Sequence, residues 1–297
     1  MSKHSNAVPG QYPECAGLIQ HKLWPAVKGR LQEEDFKVLI SEPEEVMLRL
    51  RGAFTKKHES DLVVPTSPFF AKEEVGSDRV YPEGYFHRPI CEQLVLLSKH
   101  FTKQDASEIL ACSKSMPDLP PYAEHGFAMP KWKTVAKTYN EATEFVLDRL
   151  AASRTFKNWR AGELGQKYMR LSERTEEGLA ILDNAYKGDY TVLPAQFGLM
   201  HRGRSTRKVR TIYLPHEFGL GPYETGVMLL SHPERLQGKP NELYVDCPGV
   251  EYSPYADGRF TVALYFGWCD YCGLDFIAHW AYGPFSDCGS ASGLLPQ

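Results

Sequence analysis

The hydrophobic pattern of this 297-residue chain changes in kind near residue 188, and this change constrains the fold more than any other feature. Over residues 89–186 apolar side chains recur at the three- and four-residue intervals of amphipathic helices. Beyond that point short β-type runs alternate with clusters of Gly, Pro and Asp. Helices followed by strands are typical of an α+β protein. We therefore predict an α+β fold with an irregular N-terminal segment (1–85), a helical middle (86–188) and a β-rich C-terminal region (189–297), able to form one compact unit.

The clearest predicted helix follows Pro130, where a stripe of apolar side chains repeats at helical spacing. The stripe consists of Trp132, Val135, Ala136, Tyr139, Ala142, Val146 and Leu150. A second helical stretch runs over Leu164–Leu182 and ends at Lys187-Gly188, and a third is predicted over Tyr223–Leu236. The tail over Gly289–Gly293 has the composition of a surface linker. Strands are predicted at Tyr190–Leu193, Lys208–Leu214, Glu242–Val245, Phe260–Phe266 and Leu274–Trp280.

Composition bounds the class of protein and its compartment. Hydrophobic residues make up 42% of the chain and charged residues 24%, which is the range of folded globular proteins. No apolar run approaches the roughly 18 residues that a membrane helix needs, and the first residues lack the apolar stretch of a secretory signal. Seven cysteines, an odd number, fit reduced thiols better than a disulfide framework. We expect a cytoplasmic protein with no membrane partner.

Two cysteines separated by two residues form the sharpest local motif. They lie in the segment Trp268-Cys269-Asp270-Tyr271-Cys272-Gly273, between two apolar runs, where a hairpin tip is expected. Two thiolates at this spacing can share one tetrahedral zinc ion, and the glycine permits the positive φ of the turn. Two further cysteines of the same region would complete the ligand set. The metal-site hypothesis is therefore a zinc ion held by Cys247, Cys269, Cys272 and Cys288.

Two other interpretations of this pair stay open. A tryptophan before Cys-x-x-Cys, after a strand-like run, resembles the active-site segment of thioredoxin, and the resemblance implies a redox dithiol. In that family the motif opens a helix and much of the sheet follows it. Here only residues 273–297 follow the motif, and Asp270-Tyr271 replaces the usual Gly-Pro insert. In the third interpretation the cysteines are ordinary buried thiols that behave as small hydrophobes.

A basic segment precedes one of the β-type runs. We call residues 202–210 the basic arm because they include five cationic side chains: Arg202, Arg204, Arg207, Lys208 and Arg210. Arginine binds phosphate oxygens in a bidentate manner, and the small residues between the cations permit a close backbone approach. The basic arm is therefore a candidate contact for nucleic acid or another polyanion. The alternative is a solvated loop whose cations pair with the carboxylates that are abundant after it.

Carboxylates and histidines of the C-terminal region form a second candidate set, suited to a divalent metal and hydrolysis. They are His216, Glu217, His232, Asp246, Glu251, Asp257, Asp270 and Asp275. Their spacings match no zincin helix and no nuclease core, and the chain contains no phosphate-binding loop or dinucleotide fingerprint. The sequence therefore designates no catalytic residue.

Three functions follow from these observations, in order of preference. The first is an intracellular accessory protein that binds nucleic acid or another polyanion through the basic arm. The second is a metal-dependent hydrolase that uses C-terminal carboxylates and histidines. The third is a structural or protein-interaction role without catalysis. The sequence does not decide whether the chain is an enzyme, and it does not indicate an oligomeric state.

Overall fold

The structure is a computed structural model that describes residues 73–112 and 119–296. The described residues all belong to one compact unit, Lys72–Gln297. Most of the predicted N-terminal segment (1–85) lies outside them. The described part of the chain forms seven α-helices and eleven strands, so the predicted α+β class is confirmed.

The helices belong mostly to the first half of the described chain. In chain order they are α1 (Ile90–Leu97), α2 (Ser107–Cys112), α3 (Trp132–Val135), α4 (Tyr139–Ser153), α5 (Glu173–Ala185), α6 (Thr206–Ile212) and α7 (Pro222–Ser231). The longest, α4, begins with a capping box. The side chain of Thr138 accepts from the backbone N–H of Glu141, and the Glu141 carboxylate accepts from the backbone N–H of Thr138.

The strands build two sheets. They are β1 (His125–Pro130), β2 (Phe156–Asn158), β3 (Met169–Leu171), β4 (Tyr190–Gln196), β5 (Glu217–Gly219), β6 (Tyr244–Asp246), β7 (Val250–Tyr252), β8 (Val262–Cys269), β9 (Gly273–Trp280), β10 (Cys288–Ser290) and β11 (Ser292–Leu294). A four-stranded antiparallel sheet has the order β1-β4-β11-β5. A seven-stranded mixed sheet has the path β10-β6-β8-β7-β3, and the other edge of β8 pairs with β9, which pairs with β2.

The core forms where α4 and α7 pack on each other and on the mixed sheet. Val146 of α4 and Phe266 of β8 are fully buried. A Cβ at Gly226 of α7 would lie 2.4 Å from Val146 and 3.6 Å from the Phe266 ring, so only glycine lets the three elements approach this closely. Each large apolar side chain buried here contributes about 1.5 to 3 kcal/mol.

The predicted strand over Lys208–Leu214 is wrong, because these residues belong largely to helix α6. The helix begins where the backbone N–H of Lys208 donates to Oγ of Ser205, 3.1 Å away. This N-cap satisfies a backbone donor at the first turn. The β-branched residues of the stretch favour a strand by propensity, but Val209 is fully buried on the inner face of the helix, and tertiary packing overrides the propensity.

The predicted surface linker over Gly289–Gly293 is also wrong. It contributes to the buried strands β10 and β11, of which β10 pairs with β6 of the mixed sheet and β11 with β4 and β5 of the other. The small residues serve close packing instead of flexibility. A Cβ on Gly289 would lie 2.3 Å from the carbonyl oxygen of Gly198.

The other predictions hold with changed limits. The stripe after Pro130 divides into α3 and α4 because Ala136 is extended, with φ −147°. The stretch over Leu164–Leu182 contains strand β3 before α5 begins. The third helix is confirmed as α7, and the four remaining predicted strands are confirmed as β4, β6, β8 and β9.

Candidate metal centre

Three residues from three strands of the mixed sheet converge in the described part of the chain. Asp246 ends β6, His279 lies near the end of β9, and Cys288 begins β10. One ligand atom from each lies within 4.8 Å of the others. Among the described residues this is the one group of three or more His, Cys, Asp and Glu side chains gathered so closely. We call it the metal centre because its residues could hold a metal ion.

Strand register places the three side chains on one face of the sheet. On β8, Ala263 pairs with His279 of β9, and Tyr265, two residues along, pairs with Asp246 of β6. On the other side of β6, Asp246 pairs with Ser290, two residues after Cys288. Because side chains alternate with a period of two and paired residues share a face, all of these positions face the same way.

A small residue and two aromatic rings position the imidazole. His279 and Asp246 lie two strands apart, with β8 between them, and the methyl group of Ala263 leaves the space for the ring to lean across. The ring lies between Tyr265 and Phe285, with centroid distances of 4.7 and 4.4 Å. The Phe285 ring is nearly parallel to it, at 19°. The imidazole is therefore held in one orientation by packing on both faces.

The carboxylate oxygens of Asp246 and Nε2 of His279 make no hydrogen bonds within the described residues. Neither carboxylate oxygen of Asp246 has a hydrogen-bond partner within the described residues, although the residue is fully buried. Nε2 of His279 lies 3.0 Å from Oδ1 of Asp246, but the two are not aligned as a hydrogen bond, and Nε2 has no other partner there. A buried carboxylate without partners costs several kcal/mol, so this arrangement calls for a compensating positive charge.

The local charge favours a cation as well. Burial, followed by the carboxylates of Asp246 and Asp287, raises the pKa of the Cys288 thiol well above its usual range, with Arg79 acting in the opposite direction. Oδ1 of Asp287 lies 3.6 Å from the Cys288 sulfur. A cation bound between these groups would reverse the effect, because a coordinating thiol is deprotonated outright.

The distances fit a small divalent ion. Zinc binds Cys sulfur at about 2.3 Å and His nitrogen or carboxylate oxygen at about 2.0 to 2.2 Å, so two tetrahedral ligand atoms lie about 3.3 to 3.8 Å apart. The 3.0 Å between Asp246 and His279 and the 4.8 Å limit for the group bracket that range. The three ligand atoms are therefore grouped on the scale of a single metal site.

The four predicted cysteine ligands do not come together as one such group within the described residues. Cys288 belongs to the metal centre. Cys247 follows Asp246 directly and is fully buried, and burial raises the pKa of its thiol well above the usual range. Cys269 and Cys272 lie at the tip of the β8–β9 hairpin. All four are free thiols.

The predicted carboxylates and histidines are dispersed, with Asp246 the member that lies in the metal centre. Glu217 is hydrogen-bonded to His201 at 2.6 Å, and Asp275 accepts from the Trp159 indole at 3.3 Å. His232 lies in a separate aromatic cluster, where burial and the neighbouring Arg88 lower its pKa to about 3. Of the remainder, Glu251 forms an ion pair with Arg170, and Asp257 accepts a hydrogen bond from the Ser253 hydroxyl. Asp270 lies in the turn of the β8–β9 hairpin. The backbone carbonyl of His216 accepts from the backbone N–H of Leu295.

The cations of the basic arm are engaged within the protein. Arg204 and Lys208 pair with Glu74, and Arg207 pairs with Glu73. These ion pairs outweigh partial burial and lower the pKa of Glu74. The other two cations donate to backbone carbonyls, Arg202 to Arg79 and Arg210 to Pro248 and Val250. Arg202 is the one exposed residue of the five. Binding of a polyanion through the arm stays a prediction.

His279 is the member of the metal centre that the sequence analysis did not single out. It lies inside a predicted strand, and a lone histidine there carries no spacing signal. The signal that exists is alternation, since His279, the partly buried Ile277 and the buried Asp275 share one face of β9.

Comparison with protein-family models, curated proteins and solved structures finds no match for this chain. Among the described residues, no helix combines the length and apolarity needed to cross a bilayer.

Proposed function

We propose that this protein is a metal-dependent hydrolase whose metal centre binds one divalent ion of the zinc class through Asp246, His279 and Cys288. The single observation that carries the proposal is the buried Asp246 carboxylate, whose two oxygens have no hydrogen-bond partner in the described structure. A bound cation would satisfy both the charge and the lone pairs.

The ligand types favour zinc and its neighbours over the hard cations. Calcium and magnesium take sets of oxygen ligands, whereas a mixed set of one thiolate, one imidazole and one carboxylate suits Zn²⁺ or another late first-row metal. The parallel packing of Phe285 on the His279 ring orients the nitrogen toward Asp246 before any metal arrives. Such preorganisation lowers the cost of binding.

The number of ligands favours catalysis. Closed structural zinc sites use four protein ligands, and catalytic sites use three and leave the fourth position to water. A metal in such a site lowers the pKa of its bound water toward 7. Asp287, half-buried beside Cys288, is the carboxylate positioned to take the proton. Ser290, whose hydroxyl is buried without a partner in the described structure, is paired with Asp246 in the sheet.

Metal content and turnover of the purified full-length protein test the proposal together. We expect about one equivalent of zinc, lost on D246N, H279Q or C288S and retained in C91S, a matched control at an exposed cysteine. Turnover on a panel of phosphoester, peptide and glycoside substrates should stop with chelator and return with Zn²⁺ or Mn²⁺. D287N should keep the metal and lose turnover.

Other outcomes would contradict the ligand set, the catalytic role or the presence of a metal. If C247S, C269S and C272S each lose the metal while D246N keeps it, the four-cysteine site of the sequence analysis is correct. If zinc binds at the metal centre but no substrate is hydrolysed, the ion is structural. If the protein neither contains nor takes up metal, the proposal is wrong.

A further inference from the structure

The β8–β9 hairpin ends in a turn that brings two cysteines together. The backbone N–H of Cys272 donates to the carbonyl of Cys269 at 3.1 Å, the i to i+3 bond of a β-turn. The Cα atoms at the ends of such a turn lie within about 7 Å, and a disulfide requires about 4.4 to 6.8 Å. Gly273, with φ +76°, provides the left-handed residue that returns the chain into β9. The backbone is therefore compatible with a bridge.

Both thiols lie at the hairpin tip, where solvent reaches them. The side chains of Cys272 and Tyr271 interact electrostatically with the Cys269 thiol. Tyr271 is 85% exposed, and both cysteines are partly exposed. Cys247 and Cys288, in contrast, are buried. A dissolved reagent can thus reach the hairpin pair directly.

The environment makes the two sulfurs unequal. Desolvation acts to raise the pKa of the Cys269 thiol, but the hydrogen bonds from Cys272 and Tyr271 outweigh it and lower the pKa. Desolvation, followed by the interaction with Cys269, raises the pKa of the Cys272 thiol to about 12. An attacking thiolate beside a protonated partner is the arrangement that thiol–disulfide exchange uses.

We propose that Cys269 and Cys272 form a redox-active dithiol that exchanges with low-molecular-weight disulfides. Cys269, after giving its proton to solvent, attacks one sulfur of the disulfide, whose S–S bond breaks and releases one thiolate. Cys272 then loses its proton and attacks the Cys269 sulfur of the mixed disulfide, which releases the second thiolate. The two protons end on the released thiols. Both cysteines are oxidised to one disulfide, and the external disulfide is reduced to two thiols.

This dithiol is separate from the metal centre. Cys272 precedes the first residue of β9, and His279 lies six residues further along that strand. At about 3.3 Å per strand residue the two lie about 20 Å apart. Loss of one function therefore does not imply loss of the other.

Glutathione redox titration of the full-length protein tests the proposal. The protein is treated with chelator, equilibrated with mixtures of reduced and oxidised glutathione, alkylated and analysed by mass spectrometry of the peptide containing the pair. In oxidising mixtures we expect complete loss of both alkylation sites and a mass two hydrogens lower. Returning the protein to reduced glutathione should restore both sites. C272S should accumulate a stable mixed disulfide with one glutathione on Cys269.

Control variants and reagents separate the alternatives. C91S should behave as the wild type, since Cys91 lies on α1 away from the hairpin. In the reduced wild type, Cys269 should be alkylated faster than Cys91 at pH 7. Mixed disulfides on both cysteines without a bridge would overturn the proposal. The proposal would also be wrong if the pair resisted alkylation without chelator and became reactive when chelator was added, because the thiols would then be metal ligands.

Discussion

At the scale of single residues, one buried carboxylate differs from all the others in the described structure. The fully or nearly buried acids have partners in every other case: Glu73 with Arg207, Glu217 with His201, Glu224 with Tyr139, Glu242 with the backbone of Gln237 and Gly238, and Asp275 with Trp159. Asp246 has none. Since native structures satisfy the large majority of buried polar groups, an exception of this kind indicates a site.

Glu224 gives a prediction that concerns stability alone. Its Oε2 accepts two hydrogen bonds, from the Tyr139 hydroxyl at 2.6 Å and from the backbone N–H of Gly221 at 3.1 Å. Burial nevertheless dominates and raises the pKa of Glu224 to about 7. The folded state therefore binds this proton more tightly than the unfolded state, where glutamate titrates near 4.5. The free energy of unfolding is highest below about pH 4.5 and falls as the pH rises through 7, by up to about 3 kcal/mol.

The variant E224Q should remove this dependence because the amide is neutral at every pH and keeps an acceptor oxygen. We expect it to be more stable than the wild type at pH 8 and to differ little near pH 4, as measured by urea unfolding at several pH values. E144Q, on the exposed side of α4, is the matched control and should keep the wild-type profile. Parallel profiles for E224Q and the wild type would contradict the raised pKa.

At the scale of elements, apolar runs bounded by turn residues predicted most of the strands, and residue propensity predicted a strand where the structure has helix α6. β8 and β9 are recognisable because each has an apolar run long enough to cross the sheet. α6 is not recognisable, because its β-branched residues favour a strand and its helical state depends on the cap at Ser205 and on buried Val209. The sequence of the buried strands β10 and β11 was predicted to be a linker because it is rich in small residues. Those residues permit close packing, which composition alone does not reveal.

The basic arm carries a prediction at the same scale. If it binds a polyanion, the ion pairs of Arg207 with Glu73 and of Arg204 and Lys208 with Glu74 must open first. The double variant E73Q/E74Q should then bind DNA about tenfold more tightly than the wild type at low salt and with a steeper dependence on salt, because more cations replace counterions.

The measurement is fluorescence anisotropy with a labelled oligonucleotide over a range of salt. E173Q/E176Q, two exposed glutamates of α5, changes the net charge equally and serves as the matched control. Circular dichroism establishes that both variants are folded. Equal affinities of the two double variants would assign any binding to net charge, and no binding by either would remove the polyanion function.

At the scale of the whole molecule, the metal centre depends on strand order, which the sequence does not contain. Asp246 and Cys288 were both candidates, but for two different sites, and His279 was not a candidate. They meet because the sheet places β10, β6, β8 and β9 side by side, so that residues up to 42 positions apart in the chain share one face. Only the tertiary pairing of these strands turns three unremarkable positions into one ligand set.

The same geometry predicts how metal affects the whole fold. A bound ion would link β9 to β6 and β10 across β8. Adding zinc to chelator-treated protein should therefore slow amide hydrogen exchange more in these three strands than in β1 and β4 of the other sheet. At a free zinc concentration one hundred times Kd, the free energy of unfolding should rise by about 2.7 kcal/mol. D246N should show no such response, and without metal it should be at least as stable as the wild type, because a buried carboxylate that accepts no hydrogen bond has been replaced by a neutral amide. Mass spectrometry of the exchanged peptides measures the local effect and urea unfolding the global one. Zinc-independent exchange in β6, β9 and β10, or an equal response in D246N, would show that the three residues hold no metal.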